Sequence, residues 1–182
     1  MTLSYKRSLP GDFTPRNRNA AALRIDHAGE YGATRIYAGQ LAMLKNHACA
    51  SELKHMAAQE DIHLAAFNKL LPEHKVRPTA LLPIWHIGGW LLGATTALLG
   101  AKAAMACTVA VEEVITQHYN EQLNNGTVDT SIAPTIAKFR DEEMEHHAIG
   151  LKNDAEDAPL YASLTATVRG ICRAAIWLSG RI

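Results

Sequence analysis

Residues 140–147 read RDEEMEHH, and within them Glu143 and His146 stand three apart. On a helix that spacing puts both side chains on one face, so the pair can offer a carboxylate and an imidazole to a single metal ion. Residues 59–63, QEDIH, hold a second such pair, Glu60 and His63. Each pair follows a lone glutamate: Glu30 stands 30 residues before Glu60, and Glu112 stands 31 before Glu143. Four helices carrying these groups can surround two metal ions.

One glutamate from each of two helices, with a Glu-x-x-His from each of two others, is the ligand pattern of ferritin-like di-iron and di-manganese proteins. The expected fold is all-α: a ferritin-like four-helix bundle with two accessory apolar or amphipathic helices. Ligands on antiparallel neighbours meet at one level only if the turn lies midway between them. The midpoint of Glu112 and Glu143 falls beside Asn124-Asn125-Gly126, and that of Glu30 and Glu60 at Lys45, beside Asn46. Each arm then runs about 15 residues, roughly 22 Å of helix. Charge agrees, since four carboxylates balance two divalent cations. Without metal the same cluster is costly to bury and self-repelling, which raises carboxyl pKa values.

A third Glu-x-x-His, Glu52 with His55, lies eight residues before Glu60. It is turned from Glu60 by about 80° and displaced by about 12 Å, which makes it a solvated pair. Glu113 is the other rival, but Glu112 better matches the spacing of the first half. His27, His118 and His147 adjoin the ligands in sequence and are expected to face elsewhere. Tyr37 and Tyr119 each follow a lone glutamate by seven residues, two turns along the ligand face. Their phenols can hydrogen-bond in the site or relay an electron and proton; simple core packing is the competing reading. Asp26, one turn before Glu30, is expected to orient a ligand histidine, whose second N–H needs an acceptor.

At 182 residues and 48% hydrophobic content the chain can bury a sizeable core. Eighteen basic and eighteen acidic residues cancel, so no basic field points to nucleic acid. Cys49, Cys107 and Cys172 form no C-x-x-C and read as small core residues of a reducing compartment. No G-x-G-x-x-G follows a strand signal, which argues against a dinucleotide-binding domain.

Residues 1–16 read as a flexible arm and 17–182 as one domain, with helices expected over 18–44, 49–71, 104–123, 132–151 and about 157–179. The last should begin near Asp157 and Pro159 and carry a stripe of Leu160, Leu164, Val168, Ile171, Cys172 and Ala175. Between Pro78 and Ala101 there is no formally charged residue. A transmembrane span is argued against by Pro83, Gly88-Gly89 and His86. More decisively, one crossing would separate Glu30 and Glu60 from Glu112 and Glu143 across the bilayer. Residues of about 78–101 are therefore expected to lie in the membrane interface, with Trp85 and Trp90 suited to it. A buried connector helix or an oligomer contact is the alternative.

The stretches RIDHAGEYGATRIYAGQ (24–40), VRPTALLPIW (76–85), GAKAAMACTVAVEEVITQHYN (100–120) and KFRDEEMEHHAIGLKNDAE (138–156) closely resemble the demethoxyubiquinone hydroxylases of ubiquinone biosynthesis. The resemblance runs from about residue 20 to the C-terminus. It implies that Glu30, Glu60, His63, Glu112, Glu143 and His146 hold two iron ions per chain. It also implies a di-iron monooxygenase that hydroxylates the ring of a polyprenyl benzoquinol with O2 and two electrons, NADH being a candidate reductant. The membrane surface would be a partner, with a homo-oligomer or a ubiquinone-biosynthesis accessory protein as further candidates. The expected location is the cytoplasmic face of a bacterial inner membrane, with the matrix side of the mitochondrial inner membrane as alternative. A ferritin-like iron store, a manganese catalase and a nonenzymatic quinone carrier are the rivals, none of which uses both the ligand set and the apolar stretch.

Overall fold

A computed structural model describes the backbone of residues 15–182 and the side chains of residues 18–182. The described residues form α1 (Pro15–Leu44), α2 (Ala50–Glu73), α3 (Leu82–Leu98), α4 (Ala101–Asn124), α5 (Ala133–Lys152) and α6 (Tyr161–Ser179), with a 3-10 turn at Ala155–Asp157 and no strand. The fold is the ferritin-like bundle: α1, α2, α4 and α5 surround the acidic residues, while α3 and α6 are accessory. The arm expected over 1–16 lies, up to residue 14, outside the described residues; Pro15 and Arg16 belong to α1.

Both short connections fall where the ligand spacing requires. Helix α1 ends at Leu44, and a turn over 45–49 leads into α2. Helix α4 ends in a Schellman cap. Gly126, at φ +56°, directs its N–H to the Leu123 carbonyl, and the Thr127 N–H reaches the Gln122 carbonyl at 3.0 Å. The left-handed conformation there suits a residue without Cβ.

Two apolar clusters close the bundle at its ends. Leu44, Leu53, Met56, Met105 and Val109 pack at the α1–α2 turn, and Leu23, Phe67, Leu71, Ile132, Ile136 and Phe139 at the opposite end. The acidic residues lie between them, away from water. Helix α4 is buried without interruption from Ala103 to Glu112, and its alanines let neighbouring helices approach closely. Cys49 and Cys107 are buried and Cys172 is half-buried, all as free thiols.

Helix α3 is seated on α1 backbone to backbone. A Cβ on Gly93 would collide with the Ile36 carbonyl, and one on Gly39 with the Trp90 carbonyl. The opposite face of α3 is open: Ile84, Ile87, Leu91 and Leu98 are exposed, as is Leu99 just beyond it. The segment is thus half connector and half bare apolar surface. No described helix is long and apolar enough to cross a membrane.

The last helix departs from expectation at its start. Asp157 and Pro159 do not cap it; Leu160, left-handed at φ +54°, precedes its first residue Tyr161. Asp157 instead pairs with Lys102 at 2.8 Å, pinning the turn to the start of α4. Two members of the expected stripe, Leu160 and Ile171, are exposed. The inward stripe passes through Thr165, Val168 and Ser179.

Candidate metal centre

Glu30 on α1, Glu60 and His63 on α2, Glu112 on α4, and Glu143 and His146 on α5 converge at mid-bundle, each 0% exposed. They form two overlapping groups able to hold a metal ion: Glu30, Glu60, His63 and Glu143, and Glu60, Glu112, Glu143 and His146. Glu60 and Glu143 belong to both groups. The Nδ1 of His63 lies 3.0 Å from Glu143 and 3.3 Å from Glu30. The Nδ1 of His146 lies 3.0 Å from Glu143 and 3.1 Å from Glu60.

Divalent metal fits this donor set, because the inward atoms are buried without hydrogen bonds. They are the Nδ1 atoms of His63 and His146, both oxygens of Glu60 and Glu143, and Oε2 of Glu30 and Glu112. Leaving so many buried polar atoms unmatched is costly unless a cation or protons satisfy them. Burial pushes the Glu60 and Glu112 carboxyls well above the ordinary range, with repulsion from Glu143 adding to it; burial also raises Glu30. Glu143 moves oppositely: burial would raise it, but the close His146 and His63 imidazoles hold it at about 2. Burial works against a charged His63, yet its contacts with Glu143 and Glu30 raise it to about 10. A metal at these atoms therefore replaces protons.

The phenols cross between the halves. Tyr37 on α1 donates to Glu112 Oε1 at 2.7 Å, and Tyr119 on α4 donates to Glu30 Oε1. Burial, with the nearby carboxylates, drives both phenols well up, so they remain donors.

The outward histidine nitrogens also cross. His146 Nε2 donates to Gln59 Oε1 at 3.0 Å, and His63 Nε2 to Glu142 Oε2 at 2.9 Å. Sequence reasoning missed Gln59 and Glu142 and gave the role to Asp26. Asp26 accepts instead from Gln122 at 2.6 Å and faces His118 at 3.2 Å, because α4 rather than a ligand histidine lies across from it. His27 contacts Asn68, and His118 contacts Gln122 as well as Asp26. Glu113 turns outward to Arg169, and exposed His55 lies 3.8 Å from Glu145 rather than pairing with Glu52.

An apolar cavity of about 320 Å³ opens between α1, α3, α4 and α6, beside the centre. Ala33, Ile36, Trp85, Val111, Ile115 and Cys172 are among its walls. Gly29, which adjoins Glu30 in sequence, also lines it, and Val111 adjoins Glu112; burial, with the Glu112 charge, pushes the Cys172 thiol up to about 12.

A four-helix bundle enclosing paired carboxylate–histidine groups places the protein in the ferritin-like class with a buried site able to bind metal. The sequence profile of the family described as "Ubiquinone biosynthesis protein COQ7" matches residues 17–179, and the chain belongs to that family. A Rhodospirillum rubrum protein named 3-demethoxyubiquinol 3-hydroxylase is 48% identical over 176 residues, 96% of this chain and 83% of that one. A human mitochondrial protein named NADPH-dependent 3-demethoxyubiquinone 3-hydroxylase is 51% identical over 165 residues, 88% of this chain and 76% of its own. The mitochondrial 5-demethoxyubiquinone hydroxylase of Saccharomyces cerevisiae is 42% identical over 178 residues, covering the same shares of the two chains.

Proposed function

We propose that the chain is a di-iron monooxygenase that adds a hydroxyl group to the ring of a polyprenylated demethoxyubiquinol, consuming O2 and two electrons. One observation carries the reading: an acid–histidine centre shaped for two metal ions adjoins an apolar cavity on the same side as a bare apolar helix face. Glu30, Glu60, His63, Glu112, Glu143 and His146 are the proposed ligands. Two ferrous ions bound there would supply the electrons that activate O2, and oxygen-rich ligation with open positions suits that chemistry.

The protein's own residues do the rest. Gln59 and Glu142 hold the histidines by their Nε2 hydrogens, leaving Nδ1 toward the metal. Tyr37 and Tyr119 each occupy one oxygen of a lone glutamate and leave the other as donor. The apolar cavity takes the ring and excludes water, while the tail leaves toward α3 and α6. Residues 17–182 act as one catalytic unit, with 78–101 at the membrane surface. The reductant is a reduced nicotinamide nucleotide; the human relative's name specifies NADPH for that protein, so the expectation of NADH widens to either. Location on the cytoplasmic face of a bacterial inner membrane or the matrix face of the mitochondrial one follows from where quinones reside.

Incubation of Fe(II)-loaded protein with a demethoxyquinol, reductant and labelled O2, followed by mass spectrometry, tests the reading. A product carrying one labelled oxygen atom is expected. Unchanged quinol beside iron oxidation, with vesicles and reductant present, would turn the assignment to iron storage.

A further inference from the structure

Helix α1 carries Arg24, Tyr31 and Arg35 at i, i+7 and i+11, a spacing that keeps them within about 40° of one another. This stripe borders α3. The Tyr31 hydroxyl and His86 Nδ1 share a hydrogen bond at 2.7 Å, and the Arg35 Cβ stands 3.0 Å from where a Cβ of Gly89 would be. Arg77, in the connector leading to α3, joins the stripe at its end. Arg24 Nε donates to the Arg77 carbonyl at 3.2 Å, which brings the two arginines together.

Among the described residues no carboxylate pairs with Arg24, Arg35 or Arg77. The Nε of Arg35 is buried with no hydrogen-bond partner. Burial, with the adjoining Arg77 charge, lowers the Arg24 pKa from its ordinary value. Uncompensated guanidinium groups held together in this way match an anion able to accept several N–H donors, and phosphate does so by fork geometry. Ile84, Ile87 and Leu91 of α3 are exposed. Apolar side chains with arginines on their flank suit a surface of acyl chains beneath phosphates.

We propose that Arg24 and Arg77 bind the phosphate of an anionic phospholipid headgroup and so set the rotation of the bundle on the membrane. This inference rests on the reading that α3 meets a bilayer. It adds a headgroup preference and a fixed orientation, with the apolar cavity directed at the lipid.

The test is co-sedimentation of the whole chain with vesicles of phosphatidylcholine alone and of phosphatidylcholine with phosphatidylglycerol. Arg77→Gln is the variant of choice, since it removes the charge but keeps the backbone carbonyl that Arg24 holds. The wild type should bind the anionic vesicles more tightly. Arg77→Gln should weaken that binding about five-fold, with Arg77→Lys retaining most of it and neutral-vesicle binding and circular dichroism unchanged. Equal wild-type affinity for both compositions, or an equal loss on both in Arg77→Gln, would overturn the headgroup site while leaving membrane docking intact. Release from anionic vesicles by millimolar inorganic phosphate at constant ionic strength would assign the arginine pair to a soluble phosphate and overturn it too. A wild type that sediments with neither vesicle takes the membrane reading down with it.

Discussion

Gln59 and His146 sit on facing helices, α2 and α5, and the 3.0 Å hydrogen bond between Gln59 Oε1 and His146 Nε2 fixes which imidazole nitrogen faces the carboxylates. An amide oxygen can only accept, so the proton resides on Nε2 and Nδ1 is left as a lone pair toward Glu60 and Glu143. Gln59→Leu frees the ring to turn and should weaken metal binding by roughly 10- to 100-fold. Gln59→Glu keeps an acceptor and should restore most of the affinity. Titration of the metal-free protein with Fe(II) or Co(II), followed by absorption, measures both; wild-type affinity in the Leu variant would refute the orienting role.

Glu143 and Glu52 offer the sharpest contrast between two Glu-x-x-His motifs of identical form. Glu143 touches both inward imidazoles, whereas Glu52 is half-buried and accepts from the Ser51 hydroxyl. Glu143→Ala should lose bound metal and hydroxylation together, and Glu52→Ala should keep both. Elemental analysis beside turnover decides it, and a metal-free yet active Glu143→Ala protein would sink the proposed centre.

Metal-free protein should become less stable as pH rises. The folded-state pKa values of Glu30, Glu60 and Glu112 are raised, so the fold retains protons that the unfolded chain releases above the ordinary carboxyl value of 4.5. His63 acts in the same sense: its stabilisation is complete below 6.5 and is lost as pH rises through about 10. Glu143 opposes them only in acid, its contribution vanishing as pH falls from 4.5 to about 2. Bound divalent cation takes the place of the protons and should flatten the alkaline decline. Thermal unfolding across this range, with and without metal, checks it; a metal-free Tm that climbs toward alkaline pH would contradict the sign.

The six proposed ligands were legible because their arrangement depends only on helical spacing and on where two turns fall. Gln59 and Glu142 escaped notice although a signal was present. Each directly precedes a Glu-x-x-His glutamate, and a 100° step along the helix points it at the opposite pair's imidazole. Asp26 was misplaced for a related reason. Proximity to Glu30 along α1 is a local fact, but its partners depend on which helix lies across, and α4 does. Likewise α6 starts after the left-handed Leu160, while Asp157 pairs with Lys102, a tertiary contact that no capping rule encodes.

Gly93 and Gly39 permit the α1–α3 contact, and the obstacle at each is a backbone atom that no rotamer change can remove. Gly93→Ala should therefore destabilise by at least the ~1–3 kcal/mol typical of overpacking and loosen α3 from α1. Amide exchange should rise along α3 with protection of α5 little changed. Protection of α3 at the wild-type level would mean that the contact accommodates the added methyl group without loosening.

Leu91 and Ile87 project from the open face of α3, 49% and 63% exposed, and neither touches the acidic centre. If that face enters lipid, an aspartate at either position replaces a favourable transfer of about 1.5–3 kcal/mol with the cost of burying a charge. Vesicle binding should then fall by ten-fold or more, while metal content stays at the wild-type level. Turnover separates the roles further. A quinol with a truncated, water-soluble tail should be hydroxylated as fast by Leu91→Asp as by wild type, whereas a long-tailed quinol presented in vesicles should react far more slowly. Equal turnover of the vesicle-borne substrate by both proteins would mean that the substrate reaches the cavity by another route and that the open face of α3 serves a protein contact instead.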